Sequence, residues 1–402
     1  MSVAWLWGAA SCWAVAAVIG LACARKPAGV FIAGWVSALG GLAALVGGIL
    51  VALSGHATSA IGGGAGNVVG TLGLQATALA SSFIALLGLV SLAIGTFAPR
   101  YHSAGPGTAT YLGLYNLALV ASLAVLVASN VTTFLVAWES MTLASALLVL
   151  RHYRQQAVAR GALLFLALGE LGFAMVVAAF VIVATQCHSL DLSTIAANAG
   201  RTGMTWRGAA FALALVGFGF KAGLVPLHIS VPAADSVAPA DGAAFLSGLV
   251  VSLGVYGVAL FGFRLLGHPA PWWGLLAMLV GAMSALFGIL YALMERDLKR
   301  FLAYSTVENV GVIMAALGAG LTFTSYGQRQ LGAFLLLVAL YHTVNHGTYK
   351  TLLFLEAGAI EHGAGTRDLD QLGGLVRTMC QRSSIPAAER CSRSSYPPGR
   401  VQ

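Results

Sequence analysis

Eleven long apolar runs follow one another along the chain, and they constrain its fold more than any other feature. A helix needs about 20 apolar residues to cross a lipid bilayer, and each run approaches or exceeds that length. The runs are continuous and rich in Leu, Ala and Gly, whereas strands of a membrane β-barrel alternate apolar and polar residues. The sequence therefore predicts an all-α polytopic membrane protein. The predicted spans lie at about 4–23, 29–53, 76–97, 111–129, 131–150, 161–185, 208–229, 240–263, 271–294, 301–320 and 331–358.

Charged residues are scarce and unevenly placed. Of the 402 residues, 58% are hydrophobic and 8% are charged, which excludes a soluble domain of this length. Basic loops of membrane proteins stay on the cytoplasmic side, and this rule places the N-terminus outside. The net charge of +8 then reflects membrane topology rather than nucleic-acid binding. The basic loops contain Arg25, Lys26, Arg100, Arg151, Arg154, Arg160, Arg296, Lys299, Arg300, Arg367 and Arg377, and the others contain Arg201, Arg207, Arg264 and Arg329.

No sequence motif indicates a resident cofactor. The five cysteines form no Cys-x-x-Cys pair that would hold an iron–sulfur cluster or zinc. No glycine-rich phosphate loop follows a strand, so nothing indicates an ATP-driven pump. We therefore predict no cofactor, no metal and no redox centre in this chain.

The first apolar run is followed, not preceded, by the basic pair Arg25 and Lys26, which favours a retained helix over a cleaved signal peptide.

Two ionisable residues lie deep in apolar runs. Lys221 lies in the run Val216–His228, beside two glycines and a proline that loosen helical backbone. An ionised lysine in hydrocarbon costs from about 3 to about 10 kcal/mol, so we expect Lys221 to be functional. Glu139 lies in the middle of Phe134–Met141 and must be neutralised or matched by a cation. If Lys221 and Glu139 face one another between helices, they form an ion pair whose separation would favour release of the lysine's proton.

A second group of polar residues recurs every four positions. His342, His346 and Lys350 lie along one stripe of a helix, with Asn345 close by. Two histidines at this spacing can bind a metal, but no carboxylate or cysteine is placed to complete the ligand set. Because histidine titrates near neutral pH, the stripe suits a water-bridged proton relay, and satisfied packing is the alternative.

Three further residues have both a functional and a structural interpretation. Lys299 lies near the predicted interface, where its side chain can simply extend toward water. Glu308 lies deeper, two turns into the same apolar run, which favours a functional role. Glu170 lies inside another run with fewer polar neighbours, and its role stays open.

Four segments carry a resemblance to a known family. They are Ala137–Leu143, Lys221–His228, Asp297–Gly311 and Asn345–Leu355. In this order they resemble motifs of the antiporter-like subunits of complex I and of multi-subunit sodium/proton antiporters. Their Trp-Glu-Ser-Met and Val-Glu-Asn sequences are most similar to the hydrogenase-4 component B, or formate hydrogenlyase subunit 3, type. The resemblance spans residues 110 to 376.

This resemblance implies a fold of about fourteen helices with two inverted five-helix repeats, each with a broken helix and a buried lysine. Glu139 and Lys221 match the glutamate and lysine of the first repeat. Lys299 and Lys350 match basic positions of the second repeat and the central axis, and His346 matches a family histidine. The predicted proton path contains Glu139, Lys221, His228, Lys299, Glu308, His342, His346 and Lys350.

The resemblance also implies the protein's surroundings and its division into parts. We expect a bacterial inner-membrane protein with other membrane subunits and a peripheral redox arm of hydrogenase or NADH dehydrogenase type as partners. The transported ion would be the proton, or else sodium, and no redox catalysis is expected in this chain. The expected parts are 1–107 (three N-terminal helices), 108–265 (first repeat), 266–376 (incomplete second repeat) and 377–402 (a polar tail).

Several positions depart from the family pattern. Ser252 stands where the family usually has a lysine, so the proton carrier expected after Lys221 is missing. Either a water held by Ser252 bridges the gap or the path is broken. Asp235 and Asp241 stand where histidines are usual, and Ser230 where tryptophan is usual. Acidic side chains can still carry protons, so the departures indicate either divergence or decay.

The last residues also differ from the family. After Met379 the sequence is rich in Ser, Arg and Pro and has no apolar period, where the family would have three more helices. A frameshift or premature stop is one hypothesis, and a disordered tail on a naturally short protein is the other. Two functions therefore remain open: a proton-translocating subunit, with a sodium/proton antiporter subunit as a variant, and a non-conducting scaffold.

Overall fold

Helices form most of the protein. The computed structural model describes residues 2–23, 26–54, 58–60, 74–102 and 107–375, so the tail predicted at 377–402 lies outside the described residues. Two short antiparallel strands, β1 (Thr58–Ala60) and β2 (Leu74–Ala76), are not expected from the apolar runs. The helices are α1 (Ser2–Ala22), α2 (Pro27–Ser54), α3 (Ala78–Tyr101), α4 (Thr108–Val127), α5 (Val131–Val149), α6 (Gln156–Cys187), α7 (Leu192–Asn198), α8 (Met204–Ala222), α9 (Ser230–Asp235), α10 (Ala240–Phe245), α11 (Val251–Ala259), α12 (Pro271–Met294), α13 (Leu298–Ser325) and α14 (Arg329–Ala364).

Nine helices within the described ranges are long and apolar enough to cross a membrane, which confirms the predicted all-α polytopic fold. They are α1 to α6, the continuous helix Ala240–Leu265, α12 and α13. The other two predicted spans, 208–229 and 331–358, coincide with α8 and α14, whose polar side chains make them less apolar. The span 208–229 was predicted too long, because α8 ends at Ala222.

Small residues let neighbouring helices pack closely, as is common in membranes. Where α12 crosses α13, a Cβ added to Gly281 would lie 2.5 Å from the backbone nitrogen of Ala315. Because that distance is shorter than any ordinary contact, a larger residue there would push the two helices apart. The expected part boundaries at 107/108 and 265/266 lie between helices, and the division into repeats stays a prediction.

The chain breaks its helical path between α8 and α10. Gly223 ends α8 in the left-handed conformation (φ 73°), which favours glycine. The freed backbone N–H of Val225 donates to Ser284 Oγ of α12 at 2.9 Å. After α9 and a short loop, α10 and α11 are joined through the π-helical turn Leu246–Val250. Helix ends thus come to lie inside the bundle, where their polar groups are available to buried side chains.

The alternating direction of the helices gathers the basic loops at one end of the bundle. There Arg100 of α3, Arg151 after α5, Lys299 in the first turn of α13 and Arg367 after α14 line one cavity. We call this the basic end. The backbone pairing of Asn130 with Asp191 lies at the opposite end.

Candidate functional site

Lys221 lies in the last turn of α8 and is only 5% exposed. Its Nζ donates to Thr142 Oγ1 of α5 at 2.8 Å. The ammonium also lies 4.8 Å from the ring centre of Phe165 and 6.0 Å from that of Trp138. A hydroxyl and two aromatic rings therefore replace part of the water that would otherwise solvate the charge.

Two carboxyl groups lie near this lysine. Glu139, one turn before Thr142 on α5, interacts electrostatically with Lys221 and with Glu170 of α6. In the part of the chain that the structure describes, no carboxylate oxygen lies within salt-bridge distance of Lys221 Nζ, so the hypothesised ion pair is a longer-range attraction. Glu139 Oε2 is buried without a hydrogen-bond partner among the described residues, whereas Glu170 is exposed on the outer face of α6. We call Lys221, Thr142, Glu139 and Glu170 the Lys221 cluster.

Lys350 lies in the middle of α14 and is fully buried. Its Nζ donates to the backbone carbonyl of Leu302 on α13 at 2.9 Å. It interacts electrostatically with Glu308 of α13 and with Asp235 at the end of α9. Asp235 is 2% exposed, and its Oδ2 has no hydrogen-bond partner. The lysine thus faces two carboxylates that come from different segments of the chain.

The two histidines of the α14 stripe have different surroundings. The Nε2 of His342 lies 3.2 Å from Asn309 Oδ1, and the Asn309 amide donates to the Glu308 carboxylate. His346 is fully buried, and neither of its ring nitrogens has a hydrogen-bond partner. Buried polar atoms without partners are costly, so packing alone does not satisfy this ring. Across the described ranges, no three His, Cys, Asp or Glu side chains group as a metal site. We call Lys350, Asp235, Glu308, His342 and His346 the Lys350 cluster.

Lys299 and His228, also named from the sequence, lie apart from both clusters. Lys299 is 3% exposed and forms a 2.8 Å ion pair with Glu361 at the basic end, so it does not extend into water. His228 is half-buried between the rings of Tyr291 and Tyr304, at 6.2 and 6.4 Å between ring centres. Its Nδ1 is buried without a partner. The roles of both residues in a path stay predictions.

The departures from the family pattern occupy four different settings. The Ser252 hydroxyl donates to the Gly248 carbonyl of its own helix at 3.1 Å. Ser230 Oγ donates to the Phe220 carbonyl at 3.4 Å. Asp235 belongs to the Lys350 cluster, and the two oxygens of Asp241 bind His102 and Tyr111. The two serines thus bond only to nearby backbone, whereas both aspartates face side chains from other helices.

Several residues of these settings were not in the set predicted from the sequence. Thr142 could have been found, because it follows Glu139 by three residues and so shares its helix face. Asp235 had been noted as a departure whose acidic side chain can still carry protons, but nothing in its local sequence indicates that it faces Lys350. Glu361 lies eleven residues after Lys350, beyond the recognised stripe, and only the packing of α14 on α13 reveals its contact with Lys299.

Comparison with known proteins assigns most of this chain to one family. The family model of NADH:quinone oxidoreductase/Mrp antiporter transmembrane proteins matches residues 128–387, which include both clusters. Hydrogenase-4 component B of Escherichia coli is 35% identical over 312 residues, covering 77% of this chain and 46% of that protein. Formate hydrogenlyase subunit 3 of the same organism is 32% identical over 351 residues, covering 87% of this chain and 55% of that protein. The chain therefore spans about half the length of these relatives.

A solved structure shows the same fold. The Mrp complex from Dietzia sp. contains a chain that superposes with a TM-score of 0.76 at 23% identity. The match covers 91% of this chain and 38% of the Mrp chain. The family model and the two relatives confirm the predicted resemblance to antiporter-like subunits, and the superposition confirms the fold.

Proposed function

The chain belongs to the NADH:quinone oxidoreductase/Mrp antiporter transmembrane family, and from this premise we propose that it is a proton-conducting membrane subunit. The observation that carries the proposal is the burial of two lysines, Lys221 and Lys350, each beside two carboxyl groups. Ionisable residues inside membrane proteins are costly and typically mark ion pathways. Redox chemistry in partner subunits of hydrogenase or NADH dehydrogenase type would drive the movement.

The Lys221 cluster can alternate between holding and releasing a proton. When Glu139 and Glu170 are ionised, they attract the ammonium of Lys221, and Thr142 accepts one of its hydrogen bonds. When a proton reaches the carboxyl pair, that attraction weakens, and burial then favours the neutral amine. Release of the lysine's proton to water near the helix break at Gly223 completes the step. The fixed groups of this chain therefore supply both the binding and the release.

The Lys350 cluster would continue the path through the centre of the bundle. Asp235 lies at the end of α9, in the segment that connects the broken α8 to α10, and it faces Lys350. Glu308, Asn309 and His342 extend the polar groups along α13 and α14. Water beside His346 would connect them. In this account Asp235 takes the place of the lysine that the family usually has at position 252.

We further propose the arrangement in the membrane. The basic end lies on the cytoplasmic side of a bacterial inner membrane, with the N-terminus outside, because basic loops stay cytoplasmic. Other membrane subunits contact the face where Glu170 is exposed, since a carboxylate at that depth would not face lipid. A peripheral redox arm would bind at the cytoplasmic side.

One observation favours a second candidate, a non-conducting scaffold. Ser252 bonds only to the backbone of its own helix, so it contributes no titratable group between the two clusters. A broken path would leave a protein that serves only to pack its partners together. A sodium/proton antiporter subunit is the variant within the transport class, because the family includes Mrp antiporters.

The test is proton flux through the protein in vesicles. The full chain is purified with the membrane partners that accompany it and is reconstituted into liposomes containing the pH dye pyranine. A potassium diffusion potential then drives protons inward. We expect Lys221→Ala to reduce the initial rate about a hundredfold, and the exposed Lys26→Ala is the matched control. Equal rates for wild type, Lys221→Ala and protein-free liposomes would support the scaffold, and dependence on sodium would support the antiporter variant.

A further inference from the structure

A polar cavity opens at the basic end, away from both lysine clusters. Its volume is about 840 Å³, and its wall comes from the end of α3, the turn after α5, the loop before α10 and the end of α14. Most of its charged groups already have partners. Lys299 pairs with Glu361 at 2.8 Å, Arg151 donates to Thr108 Oγ1 at 2.8 Å, and Arg367 pairs with Asp297 at 3.1 Å. These contacts fix the charged side chains along the cavity wall.

One buried carboxylate lies directly behind the cavity wall. Asp241, in the first turn of α10, is 1% exposed, and both its oxygens are engaged. His102 Nε2 lies 2.8 Å from Oδ2, and Tyr111 donates to Oδ1 at 3.0 Å. His102 itself lines the cavity, with 11% of its side chain exposed. The imidazole is thus the group that separates cavity water from the buried carboxylate.

Side chains from α3, α4, α14 and the turn after α5 lie around this pair. The Tyr101 ring of α3 contacts His102 edge-on and stacks on His362 of α14. The Arg151 guanidinium lies over the Tyr111 ring, 5.6 Å from its centre. No carboxylate other than Asp241 lies within salt-bridge distance of His102 in the part of the chain described. Among the described residues, the imidazole therefore has one acidic partner within this distance, and that partner is buried.

Asp241 also lies close to the route that leads to Lys350. The loop 236–239 joins Asp241 to Asp235, which faces Lys350. Two basic residues fix that loop through its carbonyls. Lys299 Nζ donates to Ala238 O at 3.4 Å, and Arg367 donates to Ser236 O at 2.9 Å. The loop between Asp241 and Asp235 is thus short and is held by two basic residues of the cavity wall.

We propose that His102 and Asp241 form the proton intake of this chain. A hydronium ion in the cavity protonates His102 Nδ1 and is left as water, and the imidazolium passes its Nε2 proton to the Asp241 carboxylate, so the ring is neutral again with its proton on Nδ1. Tyr111 holds the carboxylate in place. The proposal rests on the proton-conducting function proposed above. His102 and Tyr111 precede residues 128–387, so the family match does not assign them this role.

The experiment uses the same reconstituted protein and pyranine assay, with His102→Ala as the variant. We expect its flux to fall roughly a hundredfold and to recover when imidazole is added, because the cavity has room for a free imidazole in place of the ring. Asp241→Asn should lose flux as well and should not recover with imidazole. The exposed His188→Ala, at the opposite end of the bundle, is the matched control, and its flux should stay at the wild-type rate.

The outcomes separate this proposal from the one on which it rests. If Lys221→Ala loses flux while His102→Ala keeps it, the intake proposal is wrong and the conducting function stands. If His102→Ala loses flux and imidazole restores none of it, the residue has a structural role and the intake proposal is again wrong. If neither variant changes the flux, the conducting function itself fails.

Discussion

The two buried lysines illustrate two ways of holding a cation inside a membrane protein. Lys221 lies at the end of a broken helix, and its cluster reaches the outer face of the bundle through Glu170. Lys350 lies in an unbroken helix of 36 residues, is fully buried and faces carboxylates within the bundle. The charge of the Lys221 cluster can therefore change when the exposed Glu170 gains or loses a proton. Lys350 depends on its internal partners, so its removal should affect the fold as well as transport.

The largest expected effect is that of Lys350→Ala. Removing one partner of a buried charge cluster leaves Asp235 and Glu308 without a cation, which typically costs about 3–5 kcal/mol. We expect both the loss of proton flux and a clear drop in thermal stability. The drop is measured by thermal unfolding of the purified protein in detergent. Adding Asp235→Asn and Glu308→Gln should restore stability but not flux. Unchanged stability of the single variant would contradict this view of the cluster.

Lys221→Ala should reduce flux about a hundredfold, with a smaller effect on stability. Its removal leaves the carboxyl pair of Glu139 and exposed Glu170, which can take up a proton from outside the bundle. We expect a stability loss of at most about 2 kcal/mol, measured by the same unfolding assay. If Lys221→Ala destabilises the protein as much as Lys350→Ala does, the contrast between the clusters is wrong.

The connection between the clusters can be tested at Asp235 and Ser252. We expect Asp235→Asn to reduce flux at least about tenfold, because it removes a titratable group that faces Lys350. Ser252→Ala should leave flux within about twofold, since Ser252 bonds only to the Gly248 carbonyl. Pyranine traces of the two variants, prepared side by side, make the comparison. A larger loss of flux in Ser252→Ala than in Asp235→Asn would show that the path runs through Ser252.

The smallest expected effect lies outside both clusters, at Asp191, which caps the N-terminus of α7 by accepting a hydrogen bond from the Thr194 backbone N–H at 2.8 Å. Burial alone would raise the pKa of this carboxyl, but hydrogen bonds from Ser193 and Thr194 outweigh it and hold the pKa below its usual value. Its stabilisation is therefore present above the unfolded-state pKa of about 3.9 and is lost as pH falls through the lower folded-state value. Asp191→Ala should cost about 1 kcal/mol near neutral pH, as for other helix caps, with flux unchanged. A constant stability difference down to strongly acidic pH would contradict the assignment.

The apolar runs were sufficient to predict the fold, because bilayer thickness sets helix length and each run is local. The helix predicted at 208–229 was too long, because Gly223 ends α8 although the residues that follow are still apolar. Lys221 and Glu139 were recognised for the same reason, since an ionisable residue in an apolar run is visible without a structure. Asp235 and Asp241 were recognised only as acidic departures able to carry protons, and His102 was missed, because their partners lie on other helices. Only the three-dimensional packing shows that Asp241 faces His102 and that Asp235 faces Lys350, rather than lipid.

The most direct test of the account is whether Lys221 and Lys350 act in series. Proton flux is measured for Lys221→Ala, for Lys350→Ala combined with Asp235→Asn and Glu308→Gln to preserve stability, and for all four substitutions together. The account predicts that each set alone lowers flux to the rate of protein-free liposomes and that combining them lowers it no further. Substantial flux in either set alone, or losses that multiply when the two are combined, would show that the lysines do not share one path.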